Sequence, residues 1–548
     1  MTGPATYWRT VRHLKLGQIT GRIAFRLHRP RADVRPPPPR ADVSGRWVAP
    51  AQRGQSLHAP ATFDLLGERH ALDEVGWNGA GVARLWRYHQ HYFDDLGALG
   101  AEERTALHAA LIERWIAENP PGRGAGWEPY PLSLRVVRWI QWLIAGHAAP
   151  PAMVESLAVQ ARWLARRLET HLLGNHLFAN AKALVFAGLF FAGNEAVGWR
   201  RIGQEILVRQ LPEQILADGG QFERSPMYHA LALEDVLDLI DAIDAFATGD
   251  AEVEPLRDAL ADRVSAMLRW LGAMTHPDGT LGRFNDCADG IAPGNAELFR
   301  FAGELGFAAA ADNGERGVVA LAESGYVRVE RDGATALLDV APIGPDYLPG
   351  HAHADTLSFE LSLGGRKVVV NGGTSRYGEG AERQHERATA AHSTVEVEGR
   401  SSSEVWAGFR VGRRARTETP HIAHGAAGAV SVSCAHDGYA HLAGHPIHRR
   451  RWSFDDATLT VDDTVSNPAS YALARFHLAP GLTLQASGPR RWLVEEGDAT
   501  LAVVDVVAGD AHVEPSGHAP RFGVVEPTVC LAVALADGRA LTRWTWQR

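Results

Sequence analysis

The 548-residue sequence predicts a multidomain α + β protein, a two-layered helical ring followed by a large antiparallel β-sandwich. The principal observation is a change of hydrophobic period near Ser324, from 3.6 residues to 2, where amphipathic helices give way to half-buried strands. A second is length, which exceeds what one core usually serves, while apolar residues form 45% of the chain and can fill two. The third is PRADVRPPPPR at 30–40, an extended connector, because proline removes donors and restrains its neighbours. The predicted parts are a basic, Pro-rich segment over 1–59, the helical domain over 60–315 and the sandwich over 316–548.

Residues 1–32 carry seven Arg/Lys and no acid, alongside Tyr7, Trp8, Leu14, Leu16, Ile19, Ile23, Phe25 and Leu27. Such a segment either seeks an interface or docks on the protein's own body. Its cations interrupt every apolar run, so no signal-peptide core is expected and the cytoplasm is the default location, with periplasm or cell surface left open. No stretch has the roughly 18 apolar residues of a membrane span. Charged residues are 22%, net charge is −9, and no long basic block follows a phosphate backbone, which argues against nucleic acid as a partner. Cys287, Cys434 and Cys530 are too few and too scattered for a disulfide framework. Lysine occurs only at Lys15, Lys182 and Lys367, a bias toward arginine that a GC-rich genome also produces. The sequence specifies no oligomeric state.

From about 60 to 310, segments such as LSLRVVRWIQWLIAGH, VESLAVQARWLARRLETHLL and MYHALALEDVLDLIDAIDAF repeat apolar residues at i, i+3, i+4 and i+7, with short polar breaks between them. His176 to Gly193 is apolar almost all round, with one charge at Lys182, as suits an inner helix of the ring. After Ser324 come short β-branched runs closed by Gly, Asn or Asp, among them TLSFELSLGG, RKVVVNGG and ATLTVDDTV.

Four polar clusters interrupt this background. Gly174-Asn175-His176 opens the apolar helix, where Asn reads first as an N-cap. Phe222 to His229 (FERSPMYH) contains Ser-Pro, a cap and first helical residue, with Tyr228 and His229 one turn inside. In HAHAD, extended backbone would turn His351, His353 and Asp355 to one side, continuing the face of Leu357 and Phe359. Three titratable groups there are costly unless paired, metal-bound or functional; a hydrogen-bonded rim is the plainer account. The fourth runs from Asn371 through Tyr377, Arg383, His385 and Arg387 to His392, a glycine-containing loop between strands.

With LWRYHQHYFDDL around Phe93, GWEPYPLSLRVVRWIQW, GNHLFANAKALVFAGLFF, DGGQFERSPMYH, PDGTLGRFND, HAHAD and ERATAAHSTVEVEG in that order, residues 85–415 resemble the heparinase II/III and alginate-lyase superfamily of bacterial polysaccharide lyases. The resemblance implies an (α/α) toroid packed on the sandwich, with an acidic polysaccharide in the cleft between them. It implies that Asn175 and His176 neutralise a substrate carboxylate, that Tyr228 and His351 are catalytic, and that Tyr377 lies near a second tyrosine of alginate-lyase members. Arg387, Arg224 and Glu128 join Asn175 and His176 as substrate-binding candidates. His353 and His392 match two ligands of a structural zinc, with Asn371 where aspartate is normal; a neutral amide is a poor zinc ligand, and no organic cofactor is implied.

The chemistry implied is β-elimination from a uronic-acid-containing glycan. Removing the C5 proton requires that the adjacent carboxylate be neutralised, an electrostatic task like that of an oxyanion hole. Tyr228 can serve as base and acid if both act on one face of the sugar; His351 or His176 takes the proton if they act on opposite faces. A glycoside hydrolase would need two paired carboxylates, and Glu128, Glu223 and Asp355 form no evident pair. A non-catalytic glycan-binding protein of capsule or exopolysaccharide assembly is the alternative, and heparinoids, hyaluronan, chondroitin, alginate and bacterial exopolysaccharides all present a uronate.

Overall fold

The computed structural model describes residues 3–309, 317–467 and 471–547. Its helices are α1 (Pro4–Val11), α2 (Leu16–Leu27), α3 (Leu72–Val75), α4 (Arg84–Gln90), α5 (Thr105–Glu118), α6 (Pro129–Ile144), α7 (Met153–Ala165), α8 (Gly174–Phe190), α9 (Asn194–Gln214), α10 (Pro226–Phe246), α11 (Glu254–Ala273), α12 (Asn295–Glu304) and, far along the chain, α13 (Ala381–Glu386). From α5 to α11 they form two layers. In the inner layer α6, α8 and α10 are buried on nearly every side, and α8 is buried at each residue from Leu177 to Phe190. Its one charge, Lys182, reaches Asp235 at 2.7 Å and Asp238 at 2.6 Å on α10, which makes that burial tolerable. Glycine lets the layers touch. A Cβ at Gly203 of α9 would lie 2.6 Å from the Ala181 carbonyl oxygen, and one at Gly188 would lie equally close to that of Ala196.

The helical expectation needs one correction at its start. Three short strands, Leu57–His58, Thr62–Leu65 and Glu68–Ala71, pair as a small antiparallel sheet between α2 and α3. At the other end α12 stops at Glu304 and strand Val318–Leu321 opens the sandwich; the expected boundary at 315/316 lies outside the described residues. Among the described residues the sandwich has a nine-stranded and an eight-stranded antiparallel sheet. The first includes Tyr326–Arg331, Ala334–Asp339, Phe359–Leu363 and Arg366–Val370; the second includes Val430–His436, His448–Asp455 and Thr458–Val465. Alternate residues of both, such as Val432, Trp452 and Val461 against Val327, Phe359 and Val369, fill the space between them.

The halves are joined by polar contacts and by a small apolar cluster in which Trp270, Met274 and Phe284 of the toroid pack with Leu321, Tyr326 and Leu337 of the sandwich. Asp218 accepts from the Ser324 amide at 2.7 Å, Asp355 from the Asn285 amide at 2.9 Å, and His276 meets Glu360 at 2.8 Å. The N-terminal segment straps both. On α1, Arg9 pairs with Glu404 at 2.6 Å and Tyr7 packs edge-on against Trp406 at 4.9 Å. On α2, Gln18 donates to the Tyr347 carbonyl, and Phe25 packs under the Arg167 guanidinium at 3.7 Å.

Candidate active site

Between toroid and sandwich lies an open cleft of about 1650 Å³. Tyr228 reaches it from the first turn of α10, where Ser225 caps the helix by accepting the Tyr228 amide at 3.2 Å and Pro226 supplies a preset φ. His351 comes from the sandwich side. The two rings stack at 3.9 Å with 16° between planes, so one residue from each domain meets at one spot. His351 Nδ1 is 2.6 Å from the buried Glu223 carboxylate, which leaves Nε2 as the nitrogen free of that contact. The Tyr228 and Tyr377 hydroxyls share a hydrogen bond at 3.0 Å. Both phenols are pushed well above the usual tyrosine range, chiefly by burial, with further increments on Tyr228 from Tyr377 and Asp286 and on Tyr377 from Asp286.

Asn175 and His176 line the same cleft from the start of α8. The helix begins at Gly174, Leu173 occupies the cap position and no side chain caps it, so the capping account of Asn175 does not hold. Asn175 is instead hydrogen-bonded to Tyr130, and the His176 ring lies 4.4 Å from the Tyr130 ring with Nδ1 3.2 Å from Glu169. Glu128 also lines the cleft, half-exposed, and accepts from Tyr88 and from Arg84 at 2.6 Å.

Two candidates lie elsewhere. Arg387 is fully buried and spends its guanidinium on backbone carbonyls, Ala352 at 2.9 and 3.0 Å and Arg410 at 3.4 Å, so it anchors the loop carrying His351 and does not reach the cleft. Burial lowers its pKa to about 9. Arg224, held at φ 61°, donates to the Pro342 and Gly344 carbonyls and ties the toroid to the sandwich. HAHAD is not extended strand, which starts only at Phe359, and its side chains diverge: His351 to the cleft, His353 to Asp286, Asp355 to the Asn285 amide.

Two of the three candidate metal ligands, His353 and His392, come together in a hydrogen-bonded chain, and Asn371 is bonded elsewhere. His353 Nδ1 is 3.2 Å from His392 Nε2, and His353 Nε2 is 2.8 Å from Asp286, which Arg383 neutralises through both carboxylate oxygens. Asn371 Oδ1 accepts the Ser393 amide at 3.0 Å, and its amide nitrogen lies 3.3 Å from Ser358 Oγ. Among the described residues no three His, Cys, Asp or Glu side chains converge to hold an ion. His392 Nδ1 is buried without a hydrogen-bond partner, but two imidazoles and a neutral amide that already accepts the Ser393 amide make a poor donor set for a structural zinc.

Sequence reasoning gave no role as partners to Glu223, Tyr130 or Asp286. Glu223 sits inside DGGQFERSPMYH, but its pairing with a histidine 128 residues later has no local signature.

Sequence models of the heparinase II/III N-terminus and of the heparinase II/III-like C-terminal domain match residues 93–294 and 313–547. The chain belongs to the heparinase II/III-like family. As a member of that family of polysaccharide lyases, it is 29% identical over 493 residues to FtsZ-localized protein C of Caulobacter vibrioides, covering 86% of this chain and 78% of the relative. It is 26% identical over 334 residues to a heparin-sulfate lyase of Pedobacter heparinus, covering 55% of this chain and 49% of that one. The crystal structure of a heparan sulfate lyase from Pedobacter heparinus superposes with a TM-score of 0.57 at 17% identity, covering 97% of this chain and 87% of that one. The heparinase II/III-like chain thus has the (α/α) toroid and β-sandwich that its sequence predicts. Among its described residues no helix is long and apolar enough to cross a membrane.

Proposed function

We propose that this protein cleaves a uronic-acid-containing polysaccharide by β-elimination. The observation that carries the reading is the Tyr228–His351 stack, oriented by Glu223, in the cleft that Asn175 and His176 also line. Asn175 and His176 hydrogen-bond the uronate carboxylate and take up the charge that develops as C5 loses its proton. His351 Nε2 is the base, because Glu223 holds the other ring nitrogen. Tyr228 is the acid: burial keeps its phenol protonated at neutral pH. The C5–H pair becomes the C4=C5 double bond, the C4–O bond breaks, and the Tyr228 proton goes to the leaving oxygen. Tyr377, bonded to Tyr228, orients that hydroxyl.

The direct test is a panel of uronic-acid polymers, followed by the ultraviolet absorbance of the unsaturated uronate that only elimination creates. New absorbance on one polymer establishes lyase action and names the substrate. Its absence across the panel, together with saturable glycan binding, establishes the second reading, a non-catalytic glycan-binding protein. That reading is favoured by the match to FtsZ-localized protein C along most of the chain.

A further inference from the structure

We propose that helix α2 supplies an anion subsite of the cleft, in which Arg22 and Arg26, with Arg29 just past the helix end, hold a carboxylate or sulfate on a sugar next to the one being cleaved. The inference rests on reading the cleft as the site of an acidic glycan and extends it beyond the reacting uronate. Ile19, Arg22, Ile23 and Arg26 follow one another at i, i+3, i+4 and i+7, so they share one face of α2. All four, and Arg29, line the cleft that holds Tyr228, Asn175 and His351.

The rest of the helix seats this face. Gln18 donates to the Tyr347 carbonyl at 3.2 Å, and the Phe25 ring lies 3.7 Å from the Arg167 guanidinium and 4.5 Å from the His171 ring. A Cβ at Gly21 would stand 3.2 Å from His171 Cβ, so α2 touches the loop between α7 and α8. That loop runs directly into Asn175 and His176. His171 feels the charges on both sides of it: burial chiefly lowers its pKa, Glu169 opposes this, and Arg22 and His176 lower it further.

The charge on α2 is uncompensated. Among the described residues Arg22, Arg26 and Arg29 have neither an acidic partner nor a side-chain hydrogen bond, whereas Arg53 and Arg138 are paired with Glu234, Arg84 with Glu128 and Arg414 with Asp346. Glu169, on the adjoining loop, is taken up by His176 at 3.2 Å. Like charges left unpaired along one wall, in a chain of net charge −9, repel one another until an anion arrives, and such a wall concentrates anions in the cleft. The guanidinium fork matches carboxylates and tetrahedral oxyanions alike. A glycan with an acid group on successive sugars can offer one to α2 while another sits on Asn175 and His176.

The test is calorimetric titration of the full chain, in a Tyr228→Phe background that slows elimination, with polyglucuronate, dextran sulfate and neutral dextran. R22Q/R26Q should bind an acidic polymer on the order of tenfold more weakly, or worse, at an unchanged unfolding temperature, because both side chains are exposed and unpaired. R12Q/R31Q, which removes two charges that do not line the cleft, should bind as its parent does. A loss on polyglucuronate alone assigns a carboxylate to the subsite, a loss on dextran sulfate alone a sulfate, and a loss on both either group. Equal losses in the two double variants, no loss in R22Q/R26Q, equal affinity for neutral dextran, or binding of neither acidic polymer overturns the proposal. Asn175→Ala separates its failure from that of the uronate reading: weaker polyglucuronate binding there but not in R22Q/R26Q removes the subsite alone, and the reverse removes only the carboxylate role of Asn175.

Discussion

Tyr228 and His351 reach one another from opposite domains: the Ser225 cap fixes the helix start that carries Tyr228, Tyr377 bonds its hydroxyl, and the Glu223 carboxylate holds His351. Phenylalanine at 228 removes one oxygen and almost no volume, so Tyr228→Phe should keep the unfolding temperature while turnover of an eliminated substrate falls on the order of 10²–10⁴-fold. Near-full activity would remove Tyr228 from the proton path. Glu223→Gln should leave KM close to wild type and lower kcat on the order of 10²-fold, because an amide holds the His351 ring less firmly in its orientation and tautomer. A loss confined to KM would make Glu223 a binding residue. At this scale the sequence marked the helix starts that carry Asn175, His176 and Tyr228 to one cleft, while the roles of those residues came from the family resemblance alone. It misled for Arg387 and Arg224, because a guanidinium that fills backbone carbonyls and one that awaits a carboxylate look alike until the fold shows where the carbonyls point.

Helix α8 demonstrates what periodicity can and cannot tell. Its apolar circumference marked it as an inner helix, yet nothing in that pattern says that α9 approaches closely enough for Gly203 to meet the Ala181 carbonyl oxygen. Gly203→Ala should therefore destabilise the fold by about 1–3 kcal/mol, the usual cost of overpacking, read as a lower denaturant midpoint at unchanged slope. An unchanged midpoint would mean that the two helices part freely. Strand boundaries were legible from β-branched alternation, but HAHAD was not strand: Arg387 on the Ala352 carbonyl and a left-handed Leu357 at φ 63° hold it as a loop. Just past strand Arg366–Val370, Asn371 already accepts one amide and faces Ser358. Purified protein should contain far less than one zinc per chain by elemental analysis and melt at the same temperature with or without chelator. Asn371→Asp should raise zinc content; stoichiometric zinc in the unaltered protein would reverse the assignment.

Across the whole molecule, buried imidazoles set an acid limit on stability. Burial lowers His91 to about 3, His229 to about 4 and His477 to about 3, from the usual 6.5. Unfolded chains bind these protons below 6.5 while the fold refuses them. The stabilisation is thus complete above pH 6.5 and declines as pH falls toward 4. Unfolding temperature should drop steeply over that interval, and a flat profile would show the rings to be hydrated. The placement of the Tyr228–His351 pair has a different consequence. Because the tyrosine belongs to the ring and the histidine to the sandwich, their 3.9 Å stack is a gauge of how squarely the two bodies face each other. A displacement on the order of 1 Å at a catalytic contact costs about 10²-fold in rate. Anything that tilts one body against the other therefore acts as a throttle without touching the cleft. Severed into its two halves, the chain would keep most of its cores and lose the Tyr228–His351 stack until the halves were realigned.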